Sequence, residues 1–121
     1  MDSAEYRGHV LRTWRNELLW GHQLVNGGLG LSGESGEVAD LIKKCQFHGQ
    51  PLDEDQMLKE LGDVRYYLEI VAHLCGLTMD EIEAANVEKL RQRHPNGFSP
   101  SYHNAAQTEK QGVDGAQPGD G

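Results

Sequence analysis

Long hydrophobic runs, a cysteine framework and a basic surface are all missing from this chain, and each absence removes a class of function. No stretch approaches the roughly 20 apolar residues of a membrane span, and the N-terminus MDSAEYRGHVLRTW is mixed and charged, unlike a secretory leader. The expected location is the cytoplasm, with no membrane partner. The two cysteines, Cys45 and Cys75, fall on apolar helical positions without a CxxC pair or a Cys/His spacing suited to zinc, so both are expected as buried, reduced thiols. A net charge of −8 with no dense basic stripe argues against a nucleic-acid polymer as partner. No segment alternates with a period of two for long enough to read as a strand.

What is present reads as helix. Val10, Leu11, Trp14 and Leu18 predict a first helix over about Ser3 to Leu24, broken by Asn26, Gly27 and Gly28. A second runs from about Leu29 to Phe47 and ends at His48-Gly49 and the Pro51 turn. In the third, from about Asp53, the residues Met57, Leu61, Val64, Leu68, Val71 and Cys75 alternate steps of four and three, the period of a buried helical stripe, and Gly76 supplies the stop. Thr78 and Glu81 form a capping box that opens a fourth helix over Met79 to Arg93, closed by Pro95, Asn96 and Gly97. The expected fold is all-α, a four-helix bundle with antiparallel neighbours. One domain is expected over residues 1–102. The stretch 103–121, rich in Gly, Gln and Asp, reads as a disordered tail. So small a core favours burying more surface by oligomerisation.

The acids carry the functional signal. Glu34 and Glu37 lie in GESGEVADLIKK, Glu60 and Asp63 in KELGDVRYYLEI, each pair one turn apart on a helix. Glu34 falls in the arc of Val38, Leu41 and Cys45, and Glu60 and Asp63 border the stripe of the third helix. Carboxylates are costly there unless a cation or metal accompanies them. Oxygen-only ligands suit hard cations, Mg²⁺ or alternatively Mn²⁺. A di-iron carboxylate bundle would need Glu-x-x-His pairs, and the chain has none. His73, four residues after Glu69, reads as a helix-surface or partly buried polar residue rather than a ligand. Lys89 and Arg93, one turn apart with Asn86 on the same face, read from spacing alone as a solvated helix face more often than as a site for a small anion. Lys43 and Lys44 are weaker candidates, equally explained as charges that offset the helix dipole. Tyr67, one turn after Asp63, is placed to stack on a base or to pack between helices. Trp14 and Trp20 read first as packing residues.

The segments LGLSGESGEVADLIKK, FHGQPLD, KELGDVRYYL and ANVEKLRQRHPNGF resemble the MazG-like nucleotide pyrophosphohydrolases of the all-α NTP pyrophosphatase superfamily, over about Leu29 to Phe98. The resemblance implies a hydrolase that cleaves a nucleoside triphosphate, with deoxynucleotides favoured, between its α and β phosphates, for pool cleansing or recycling. It places Mg²⁺ on Glu34, Glu37, Glu60 and Asp63, with Glu34 the first choice and Glu37 the second for the proton acceptor. It assigns Asn86, Lys89 and Arg93 to the substrate, and a base contact to Tyr67, and it implies a homodimer or homotetramer. Lys44 joins the substrate-binding candidates. Two positions depart from the pattern: Arg65 stands where an apolar residue is expected, and His94 where a tyrosine is usual. The competing expectation is a non-catalytic helical module that binds nucleotide or a partner.

Overall fold

Among residues 1–97, which the computed structural model describes, four helices and no strand occur: α1 (Ser3–Leu11), α2 (Trp20–Phe47), α3 (Glu54–Leu74) and α4 (Met79–Arg93). Packing divides the chain into a unit spanning Met1–Ile82 and a second that starts at Glu83. Through Gly97 the second unit consists of the rest of α4 and a turn at Pro95-Asn96-Gly97, where Gly97 takes φ +73° and donates its N–H to the His94 carbonyl at 2.9 Å. The expected domain boundary at 102 and the tail beyond it lie outside the described residues.

The first unit is built on the hairpin of α2 and α3. A Cβ added to Gly27 would meet the methyls of Val71 and Ile70 at 3.2 and 3.3 Å, and one added to Gly30 would collide with the Tyr67 ring. One turn further along α2, Glu34 meets Glu60 and Asp63. Each turn up α2 thus faces a turn down α3, an antiparallel pairing whose close approach depends on two glycines.

That packing overturns the expected helix boundary. Gly27 and Gly28 do not break a helix; α2 runs through them for 28 residues. Glycine costs a helix interior about 1 kcal/mol relative to alanine, and the close seat against Ile70, Val71 and Tyr67 offsets it. The break falls instead over 12–19, a stretch with neither Gly nor Pro. It is held by side chains: the Thr13 hydroxyl donates to the Val10 carbonyl at 2.8 Å, and the buried Gln23 carboxamide donates to the Leu18 carbonyl at 2.8 Å while accepting from the Trp14 indole at 2.8 Å.

The other ends follow the expected chemistry. Asp53 caps α3, and Gly76 closes it with φ +73°, donating to the His73 carbonyl at 3.0 Å while Leu77 donates to Ala72 at 2.9 Å. The Thr78–Glu81 box closes reciprocally, both halves at 3.1 Å.

The buried face differs from the expected stripe. Ile70, Ala72 and Glu69 are the buried residues of α3, whereas Met57, Val64, Leu68 and Val71 are half-buried and Leu61 is exposed. Within this unit α1, only nine residues long, is too short to close the stripe along the 21 residues of α3. Cys75, expected buried, is exposed because it caps the end of α3 rather than lying on its face; Cys45 is half-buried, and both thiols are free.

Candidate metal centre

Glu34, Val38, Leu41 and Cys45 share a half-buried face of α2, as their spacing requires. From that face Glu34 meets the acids of α3, so that one oxygen each from Glu34, Glu60 and Asp63 lies within 4.8 Å of the others. Among the described residues no lysine or arginine is ion-paired to any of the three. The electrostatic result is visible at Glu34, whose carboxyl is pushed above the usual range by burial, by a hydrogen bond with Glu60, and by the charges of Asp63, Glu60 and Glu37. Three converging carboxylate oxygens match the donor chemistry of a hard divalent ion. Glu37 lies outside the trio but close enough to raise Glu34.

Around this centre the other candidates separate. The Tyr67 ring is seated on Gly30 and packs edge-on against Tyr66 at 5.1 Å and Trp14 at 6.4 Å between centroids. It is half-buried, one turn from Asp63, with a packing role already occupied on one side. Lys44 is committed to Asp40 at 2.9 Å, a bond that raises the lysine and lowers the aspartate. Asn86, Lys89 and Arg93 are exposed along α4, in the second unit, at spacings that share one face. Trp20 donates its indole N–H to the Leu74 carbonyl at 2.8 Å while staying largely exposed. His73 is exposed in the last turn of α3.

Arg65 has a definite place. It donates to Glu69 at 2.8 Å and lies over the Tyr6 ring, 4.6 Å from its centroid, while Arg7 of α1 bonds the second Glu69 oxygen and reaches the Leu77 carbonyl at 2.6 Å. Burial alone would raise Glu69, but the two guanidiniums outweigh it and hold the carboxyl below its usual range. The position that departs from the expected pattern is therefore part of a clamp fastening α1 to α3. Sequence reasoning missed this clamp. The i, i+4 spacing of Arg65 and Glu69 was its one readable half; the Arg7 half depends on the tertiary fold.

The MazG nucleotide pyrophosphohydrolase domain profile matches residues 27–98, taking in α2 from Gly27, all of α3 and all of α4. Among curated proteins, Gene 37 protein of Mycobacterium phage L5 is 30% identical over 73 residues, covering 57% of this chain and 64% of that protein. The chain thus spans somewhat less than two thirds of that relative's length. No solved structure matches.

Proposed function

The chain belongs to the MazG nucleotide pyrophosphohydrolase domain family, and on that premise we propose that it hydrolyses nucleoside triphosphates, deoxynucleotides among them, to the monophosphate and pyrophosphate with Mg²⁺. The observation that carries this reading is the trio Glu34, Glu60 and Asp63, converging with no ion-paired lysine or arginine among the described residues. These three would hold the ion. Bound there, Mg²⁺ would offset phosphate charge and supply Lewis acidity toward water and a phosphoryl oxygen. Glu34, whose raised carboxyl suits a proton acceptor, remains the first choice to take the proton from water, with Glu37 beside the trio the second. Lys89 and Arg93 on α4 are assigned to the outer phosphates, Asn86 to sugar or phosphate oxygens, and Tyr67 to a wall of the base site.

A second copy of the chain belongs to the same proposal. Leu29 is 68% exposed on α2 and Leu58 is 73% exposed on α3, with Val25 and Leu61 also open, more apolar surface than a single hairpin can cover. A homodimer or homotetramer would bury it, and light scattering reads the result.

Incubating the protein with a panel of NTPs and dNTPs plus Mg²⁺, with products separated by chromatography, tests the reaction. Monophosphate with pyrophosphate is the expected pair. Diphosphate with phosphate contradicts the bond assignment, and the absence of turnover across the panel favours the binding-module alternative.

A further inference from the structure

We infer that Gln56 is a positioning residue for Glu60 in the cation site, an inference that rests on the functional reading above. Asp53 and Gln56 have the spacing of a capping box, and half of the box is made: the Asp53 carboxylate accepts the Gln56 backbone N–H at 3.0 Å. The other half would turn the Gln56 side chain back to the Asp53 amide, as Glu81 turns back to Thr78 at 3.1 Å. Gln56 instead points forward. Its Nε2 donates to Oε1 of Glu60 at 2.6 Å, one turn along α3.

The chemistry of a carboxamide suits this position. It is neutral, so it orients the carboxylate without contributing a cation that would compete with a divalent ion, as lysine or arginine would. It engages one oxygen of Glu60 and leaves that carboxylate's remaining lone pairs for ligation. Hydrogen-bond partners of this kind fix the orientation of metal ligands, and their loss weakens metal affinity. An ordinary i, i+4 pair on a helix surface would adjust helix stability slightly and leave ion affinity alone.

The test is titration of the full chain with Mn²⁺ alone, free ion being read by electron paramagnetic resonance, for the wild type, Gln56→Met and Gln56→Asn. Methionine keeps the length and removes the donor; asparagine keeps the carboxamide and shortens its reach. Both variants are expected to bind Mn²⁺ about tenfold more weakly or worse, with the metal-free circular dichroism spectrum and melting midpoint unchanged. Affinities within about twofold of wild type for both variants, or a loss of affinity that merely follows a loss of helicity, overturn the role of Gln56. A wild-type chain that takes up no Mn²⁺ overturns the cation-site reading itself, and the inference with it.

Discussion

Helix α3 carries two acidic sites that the fold treats in opposite ways. At one, Glu69 is 1% exposed, yet its charge is answered within the chain by Arg7 from α1 and Arg65 from the preceding turn. At the other, nearer the start of the helix, Glu60 and Asp63 face Glu34 with no ion-paired lysine or arginine among the described residues. The carboxyls register the difference, Glu69 held below the usual range and Glu34 pushed above it. A buried acid whose counterions are built in fastens two helices together. A cluster of acids without counterions is destabilised by its own charge and reaches balance only with protons or an external cation.

The largest expected effect breaks the second site. Asp63→Asn removes the charge of a proposed ligand at nearly constant shape, and turnover should fall by more than the roughly 10–100-fold typical of losing a ligand's hydrogen-bond partner, as followed by pyrophosphate release. Its metal-free melting midpoint should stay level or rise, since one of several repelling charges is gone. Glu37→Gln should also abolish most turnover while keeping the helical spectrum, and should retain cation affinity better than Asp63→Asn does.

Breaking the first site should invert that pattern. Glu69→Gln leaves Arg7 and Arg65 without their shared carboxylate. Because those side chains remain 20% and 35% exposed, solvent recovers part of the loss. An unfolding free energy lower by about 2 kcal/mol is expected, read by denaturant titration, with cation affinity unchanged. A comparable or smaller loss is expected of Gly30→Ala, whose methyl would collide with the Tyr67 ring between the two sites. Overpacking of this kind costs about 1–3 kcal/mol, and near-ultraviolet circular dichroism should report the displaced aromatic cluster.

The smallest effect is in the pH profile of the metal-free chain. Glu69, lowered by folding, stabilises the protein fully above the ordinary carboxylate pKa, and that contribution is lost as pH falls through its depressed folded value. Glu34 runs the other way: raised by folding, it stabilises only while protonated, and its contribution is lost as pH rises through its elevated folded value. Denaturation curves across the acid range should therefore show Glu69→Gln flattening the low-pH decline and Glu34→Gln flattening the decline above it.

Which parts of this arrangement could be read from sequence depends on whether their cause is local. The acidic pairs, the Thr78–Glu81 box and the Gly76 stop are set within one or two turns, so spacing alone exposed them. Gly27 was misread because a glycine that breaks a helix and one that admits a neighbouring helix look identical until Ile70 and Val71 are brought alongside. The true break over 12–19 carries neither Gly nor Pro; it depends on Gln23 turning back to the Leu18 carbonyl and holding Trp14. The role of Arg65 was only half legible, since Glu69 lies one turn along the same helix while Tyr6 and Arg7 come from α1. In the same way, spacing does not show that the Gln56 side chain turns forward to Glu60 instead of back to Asp53.

The contrast between the two acidic sites is tested most directly by calorimetric titration of the metal-free chain with Mg²⁺ in buffers of different ionisation heat, which reads ion binding and proton release together. Mg²⁺ is expected to bind the wild type and displace protons, to bind Glu69→Gln equally well, and not to bind Asp63→Asn. Wild-type protein that takes up no Mg²⁺, or Asp63→Asn that takes it up as the wild type does, would contradict that contrast.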